Sequence, residues 1–471
     1  MARIDPTLSV VLGVHQSIGY KGIALFGTDE QKERWLPDLA TGRKLAAFAL
    51  TEPSAGSDAW GIQSRAVQQP DGSWVLNGGK RYIGNGSRAD VLTTFARCEI
   101  DGRERHIALL LEKGMPGFEV GDRFDTMGLR ANDLRRLTFN DVKIPAENVL
   151  GEPGDGFRIA MSILNNGRIG LGTGSVGGAK ELLDLAIAHT LEREQFGGPL
   201  ADLDLVQEKI GWMVTQLFGL EAMCYLTCGL VDAGVPDYSL ESAVCKISGT
   251  EFLWYQANRA LQLAGGEGYM RGNRYEKILR DIRIFPIFEG ANDVLRSYVA
   301  LTGMKPLGEK LQGLGAVGLN DPIGSLGVLA DYVGGRIRGG GRIEHAHPDL
   351  KRHADSVGEQ VGRLRGTCEK LLREHRRAII HQGLHHRRIS DAVSDIFAQV
   401  AVISRVTALF GAQGVDASGQ ERLIAASFCD RASRRVHGML DQVERNDDAT
   451  IRSIARLAYK RGEYGYELAK D

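Results

Sequence analysis

Phe48-Ala49-Leu50-Thr51-Glu52-Pro53-Ser54-Ala55-Gly56-Ser57-Asp58 is where the chain changes character. Upstream, residues 1–47 read as helical: Thr28 and Gln31 form a capping box opening a helix through Trp35, before Pro37 interrupts it. Downstream, residues 48–150 read as strands. Val75-Leu76 and Tyr82-Ile83 flank Asn77-Gly78, a hairpin signal, and Val91 to Cys98, Ile107 to Leu111 and Leu137 to Ile144 add strand-like runs. Within the quoted stretch, Thr, Ser and Gly after a strand can present hydroxyls and bare backbone N–H groups to a polar ring edge or a phosphate. A plain turn built by Pro53, Gly56 and Asp58 explains the same residues.

Further out, from about Gly156 to Gly303, the period becomes helical, with Leu182, Leu183, Ala186, Ile187 and Leu191 on one expected buried face. Residues 306–345 are Gly-rich and loosely patterned. Residues 348–471 return to helical spacing, with Val393, Phe397, Val400, Ala401 and Ser404 as a stripe. Helix, sheet and helix in separate blocks predict an α+β, mostly α chain rather than alternating βαβ units. The expected divisions are a helical segment 1–47, a β domain 48–153, a helical bundle 154–305, a linker or membrane-contact segment 306–347 and an extra helical domain 348–471.

The chain has 471 residues, 43% hydrophobic and 25% charged, a globular balance too long for one core. A formal net charge of −1 offers no global field for nucleic acid or an anionic membrane. Six cysteines are too few for a disulfide framework, and Cys224 and Cys228, one helical turn apart, lack a second pair to make a metal set. They read as core thiols in a reducing compartment. No run is expected to span a membrane and no signal-peptide pattern opens the chain. Leu8-Ser9-Val10-Val11-Leu12 begins almost at once, as if earlier elements were absent.

Four other stretches carry candidate chemistry. Gly172-Thr173-Gly174-Ser175-Val176-Gly177 matches a dinucleotide fingerprint, but Asn166-Gly167-Arg168 before it belongs to a helical block, so close helix packing is expected instead. Gln262-Leu263-Ala264-Gly265-Gly266 lies between helical stretches, where adjacent glycines admit an anionic ligand or simply turn the chain. Arg193-Glu194-Gln195-Phe196-Gly197 ends a helix with a guanidinium able to grip a pyrophosphate, or merely to be solvated. Ile284-Phe285-Pro286-Ile287-Phe288-Glu289-Gly290-Ala291-Asn292-Asp293 sets one carboxylate after an apolar aromatic run. Such surroundings raise a carboxyl pKa and suit a general base, although a Glu near a helix start is the plainer account.

In this order and spacing the segments resemble the acyl-CoA dehydrogenase family, from about Ile4 to Gly303, and residues 306–471 resemble the extension of its very-long-chain branch. Gly13-Val14-His15-Gln16-Ser17-Ile18-Gly19 and Ile163-Leu164-Asn165-Asn166-Gly167-Arg168 point to the same branch. The resemblance implies the family's fold: N-terminal helices, a central β barrel and a C-terminal four-helix bundle, here with an extra helical domain. It implies FAD, with Phe48, Leu50, Thr51, Gly56 and Ser57 lining the flavin and Ser57 also facing CoA. Tyr82, Ile83 and Gly84 would pack on the ring. Arg193, Phe196, Gln207, Gln262, Gly265 and Gly266 would hold FAD across a homodimer interface, and Ala291 and Asp293 lie in the cofactor segment. Asn165, Arg168 and Gly290 fall at substrate positions, and Glu289 aligns with the base.

The implied reaction is α,β-dehydrogenation of a long-chain acyl-CoA to a trans-2-enoyl-CoA. In it, Glu289 takes the α-proton, flavin N5 takes the β-hydride, and electron-transferring flavoprotein is the acceptor. Tyr82 replaces the commoner Trp, Gly84 lacks the expected hydroxyl, and Ala291 stands where Thr is usual. A catalytically weakened assembly scaffold is therefore one alternative, and an oxidase, with the same base and cofactor, is another. Gly13, Ser17 and Gly19 are expected to leave room for a long tail. Leu307, Leu311, Leu314, Ile323, Leu326 and Leu329 with Arg336, Arg338 and Arg342 suggest peripheral membrane contact or a flexible linker. The expected location is the bacterial cytoplasm, or the mitochondrial matrix side in a eukaryote.

Overall fold

A computed structural model of the chain describes residues 1–315 and 343–466. They fall into two compact units, Met1–Leu295 and Arg296–Asp471.

The first unit opens with α1 (Pro6–Gly13), capped by the Asp5 carboxylate, which accepts from Thr7 and Leu8 N–H. A π-helical turn, Val14–Gly19, follows. Such turns are rare and are frequent at functional sites. His15 on this turn is buried: its Nδ1 accepts from Ala46 N–H at 3.0 Å, so Nε2 donates to the Leu39 carbonyl, also at 3.0 Å. After α2 (Lys21–Phe26), α3 (Asp29–Ala40) starts on the expected capping box. It does not stop at Pro37, which lies inside its last turn and costs it one backbone hydrogen bond without ending it.

Seven strands form one curled sheet. β1 (Ala46–Ala49) runs parallel to β4 (Val91–Ile100), and β5 (Arg103–Glu112) pairs antiparallel with β4. β2 (Arg65–Gln68), β3 (Trp74–Ile83), β7 (Arg135–Ile144) and β6 (Phe118–Arg123) follow in that order across it. Both faces are covered along β5. Ile107, Leu109 and Leu111 face one cluster and Ala108 and Leu110 the other, which explains the unbroken apolar run.

Asn77-Gly78 is not a turn. It lies within β3 at a bulge against β7, where a Cβ on Gly78 would come 2.5 Å from Ser64 Oγ. Asn77 instead bonds the Asp141 side chain across the strands. The hairpin is Asp71-Gly72, closed by Gln69 N–H to Ser73 O at 2.7 Å and by Asp71 Oδ1 accepting from Ser73 N–H.

The later helices of this unit are α4 (Gly156–Glu192), α5 (Asp204–Asp232), α6 (Ser239–Tyr269) and α7 (Arg274–Ile282). Residues 172–177 lie in mid-helix, where a Cβ on Gly172 would sit 3.0 Å from the Cys245 carbonyl: the glycines let α4 and α6 touch. On α4, Leu182, Leu183 and Ala186 are buried as expected, but Leu191 is exposed because Thr190 takes the inward position of the last turn. Cys224 is buried beside Cys245, whose hydrogen bond and the burial push its thiol pKa up, as befits a core thiol.

α8 (Asn292–Gly315) runs through the expected 305/306 boundary and past Pro306. The supposed membrane-contact residues Ile323, Leu326, Leu329, Arg336, Arg338 and Arg342 lie outside the described residues.

In the second unit, α9 (Lys351–His375), α10 (Gly383–Gln413), α11 (Gly419–Glu444) and α12 (Asp448–Arg461) follow. The buried face of α10 is Ile389, Ala392, Ile396, Gln399, Ile403 and Val406, not the expected stripe, of which Ala401 alone is buried and Ser404 is exposed. Gln399 earns its inward place by exchanging amide hydrogen bonds with Gln360 at 2.8 and 3.2 Å. By length and composition α5 and α10 could each cross a bilayer, contrary to expectation.

Candidate active site

The turn between α7 and α8 carries Glu289. Phe288 N–H bonds the Ile284 carbonyl at 3.1 Å, Asn292 N–H bonds the Pro286 carbonyl at 3.0 Å, and the rings of Phe285 and Phe288 stack with centroids 5.6 Å apart. Closing this turn puts Glu289 at φ 58° and Gly290 at φ 90°. The left-handed region costs a non-glycine residue roughly 1–2 kcal/mol, so the surroundings must impose it.

They do so from two helices. From α6, fully buried Lys246 donates to the Gly290 carbonyl at 2.8 Å and to Asn292 Oδ1 at 2.7 Å. Asn292 in turn donates to Thr250 Oγ1 and Glu251 Oε1, both at 3.1 Å. From α4, Arg168 donates to the Glu289 carbonyl at 3.3 Å and to Asn165 Oδ1 at 2.9 Å.

The carboxyl group itself is left without a partner at Oε2, which is buried. Burial pushes its pKa up to about 7, against the opposing pull of the Arg168 and Lys246 cations. Gly167 leaves it room, since a Cβ there would lie 2.7 Å from Oε2 and 2.8 Å from Ile18 Cγ2. Burial pushes the Lys246 pKa down to about 7 against the pull of Glu289, with Arg168 adding to the lowering and Glu251 opposing it. A buried base poised near neutrality can accept a proton from a weak carbon acid.

Glu289, Gly290, Asn165 and Arg168 are thus brought together. Ile18, which meets Gly167, belongs to the same buried cluster as Phe48 and Leu50. The 48–57 segment leaves β1 with Leu50 buried and Gly56 and Ser57 exposed. Fully buried Lys80 donates to the Leu50 carbonyl at 3.0 Å and to Glu52 Oε1 at 2.7 Å, and Glu52 also accepts from Gln63 and Ser64 N–H. Burial opposes ionisation of Glu52, but Lys80 and these N–H groups outweigh it and hold the carboxyl below its usual range.

Arg81 N–H bonds the Thr51 carbonyl at 2.8 Å, which sets Tyr82, Ile83 and Gly84 beside the same segment. Tyr82 is half-exposed at φ 61° with its ring against Phe124, while Ile83 is buried. Gly84 lies against Val14 and Asn132, whose Oδ1 is buried and accepts nothing.

Arg193, Phe196, Gln207, Gln262, Gly265 and Gly266 are all exposed. Arg193 caps α4 and Phe196 stands at φ 56° at the tip of a two-residue hairpin, 94% exposed. Gly265 breaks α6 at φ 63°, ψ −144°, a conformation open only to glycine, with open space where a Cβ would be. Ala291 and Asp293 flank Asn292 at the start of α8. Lys246, Lys80 and Asn132 went unnoticed in the sequence; for both lysines the available signal was a cation on the inward parity of an apolar element.

Residues 1–43, 47–142 and 154–303 match the N-terminal, middle and C-terminal domain families of acyl-CoA dehydrogenase, and residues 348–464 match the ACAD9/ACADV C-terminal domain. The chain is similar to the mitochondrial very long-chain specific acyl-CoA dehydrogenase of Rattus norvegicus, 37% identical over 97% of this chain and 72% of that protein. Its fold is similar to an acyl-CoA dehydrogenase of Bacillus anthracis complexed with FAD, with TM-score 0.82, 29% identity and coverage of 98% of this chain and 79% of the other. Butyryl-CoA dehydrogenase of Megasphaera elsdenii gives TM-score 0.62 and 36% identity over 65% of this chain and 79% of its own.

Proposed function

The chain belongs to the acyl-CoA dehydrogenase family, and from that premise we propose that it oxidises the Cα–Cβ bond of long-chain fatty acyl-CoA, with Glu289 as the base. The observation that carries this reading is the buried Glu289 carboxyl, left partnerless at Oε2, in a turn that two helices force into a left-handed conformation. A purely structural role offers no return for that arrangement.

The residues present fit FAD. Asn132 Oδ1 is a buried acceptor without a donor beside Gly84, Tyr82 offers a half-exposed ring, and Gly56 and Gly265 leave open space over bare backbone. FAD would be held by the 48–57 and 82–84 segments of one protomer and by the Arg193, Phe196, Gln207 and Gln262–Gly266 set across a homodimer interface. When bound, it supplies the acceptor for the β-hydride. The chain's own part is to hold the thioester and move one proton. The Glu289 backbone N–H donates to the thioester carbonyl, stabilising enolate charge as the carboxylate takes the α-proton. Asn165, Arg168 and Gly290 shape the substrate side of the turn. Electron-transferring flavoprotein would then take the electrons, leaving a trans-2-enoyl-CoA.

The long-chain part rests on the first helices. Gly13 has nothing within 4 Å of an added Cβ and leaves room there, whereas Ser17 packs closely on α4, its Oγ 3.2 Å from where a Cβ on Gly170 would stand. Gly19 leaves no room either: a Cβ there would strike the Val14 carbonyl at 2.6 Å and Ala46 at 2.9 Å, so it serves close packing.

Anaerobic mixing with palmitoyl-CoA tests the reaction. The flavin absorbance should bleach in the wild type, and Glu289→Gln, with FAD still bound, should bleach roughly a hundred- to ten-thousandfold more slowly. An unchanged rate removes Glu289 from the chemistry. Peak turnover with butyryl-CoA would refute the chain-length part alone. A colourless protein that takes up no FAD would turn the reading to a scaffold, and peroxide formation without an acceptor to an oxidase.

A further inference from the structure

Lys246 has no part in the reaction as just described, yet it is the largest charged investment beneath the base. It lies on the inward stripe of α6 with Ser242, Gly249, Leu253 and Gln256, all buried. A buried ammonium is expensive unless its donors are used, and the hydrogen bonds it makes go to two residues just after Glu289, one in the turn and one at the start of α8: the Gly290 carbonyl at 2.8 Å and Asn292 Oδ1 at 2.7 Å. Together they form a strut from the helix to the turn. Asn292 braces the far end by its own bonds to Thr250 and Glu251 on the same helix.

We propose that Lys246 is a positioning residue for the dehydrogenation step: its Nζ, donating to both acceptors, fixes the left-handed turn that aims the Glu289 carboxylate. The proposal rests on Glu289 being the base. The charged groups facing the Glu289 carboxyl are Arg168 from α4 and Lys246 from α6, with Glu251 of α6 facing Lys246, while Ile18 of the π-helical turn adds an apolar wall. Losing the strut lets Glu289 and Gly290 relax toward ordinary backbone angles and moves the carboxylate from its target. In its protonated form Lys246 is also one of two cations that favour the ionised base, so without it Glu289 would ionise at higher pH.

Lys246→Met, nearly isosteric and uncharged, is the test, read on the FAD-loaded enzyme beside wild type and Glu289→Gln. Expected are full flavin content, KM for palmitoyl-CoA within about twofold, and kcat per bound flavin lower by roughly ten- to a hundredfold, the scale of a small misplacement. The acidic limb of kcat/KM should move up, the direction set by removing an opposite charge. A lysine that only stabilises the fold would lower the melting temperature and leave both kcat per flavin and the limb in place, which would overturn the proposal. If Lys246→Met yields no soluble protein, Asn292→Leu carries the same test by cutting one end of the strut. It should lower kcat per flavin with the limb unmoved, and unchanged kcat there sinks the idea. A Glu289→Gln enzyme that turns over normally would instead mark failure of the reading of the base, whatever Lys246 does.

Discussion

An ideal Cβ on Gly84 would lie 3.4 Å from Asn132 Oδ1, an oxygen that is buried and accepts no hydrogen bond. An orphaned buried acceptor costs about 1–3 kcal/mol. Gly84→Ser would put a hydroxyl donor within reach, and Gly84 lies outside the left-handed region, so the backbone tolerates a side chain. The opposing contact is Val14 Cγ2 at 3.2 Å, the end of a side chain on the π-helical turn that can yield by a few tenths of an ångström. The balance favours stabilisation by about 1 kcal/mol, or a melting temperature raised by about 2 °C in FAD-free protein. Calorimetry checks it, and a lowered melting temperature would mean that Val14 cannot move. The sequence exposed only half of this pair. Gly84 stood out as a missing hydroxyl, whereas Asn132 sits in an irregular loop whose path no periodicity predicts.

The reading of β3 decided what could be seen at the level of whole elements. Taking Asn77-Gly78 as a turn cut the strand in two and concealed its parity. Run through, the strand turns Trp74, Leu76 and Lys80 inward, and a lysine on that face demands a partner. That partner is Glu52, in the very segment that marked the change from helix to sheet. The physical cause of the misreading is the bulge: glycine was needed for close approach to Ser64, not for reversing the chain. The Lys80–Glu52 pair, with the Leu50 carbonyl, pins both ends of the tight Leu50–Glu52 stretch on which the proposed flavin contacts depend. Removing one member of a buried pair strands the other, so Lys80→Met should cost about 3–5 kcal/mol. It should lower the urea midpoint and weaken FAD uptake together. A variant that unfolds at the wild-type midpoint would show the clamp to be idle. The helices were easier to read where a wide apolar face repeats, as on α4, and failed on α10, where a buried Gln pair shifts the inward stripe.

Across the molecule, the order of blocks was legible because segregated helix and strand patterns persist over many residues, whereas the meeting of remote segments at Glu289 was not. Residues 18, 167, 168, 246 and 289 share no local period and come together only through packing. The exposed set around Arg193 poses a different question, since a Phe196 ring 94% exposed on a left-handed hairpin tip gains nothing within its own protomer. A two-fold partner would bury it, and symmetry would bury it twice. At roughly 1.5–3 kcal/mol for each ring, the pair contributes about 3–6 kcal/mol, a hundredfold or more in dimer affinity. If FAD is shared across that interface, its retention is tied to association by mass action, and dilution should release it. Phe196→Ser should therefore leave the melting temperature of FAD-free protein unchanged, while sedimentation velocity shows a weaker dimer and flavin fluorescence rises at a higher protein concentration than in the wild type. A monomer that keeps its flavin on dilution would detach this surface from the cofactor, leaving Arg193 and Gln262–Gly266 as ordinary helix ends.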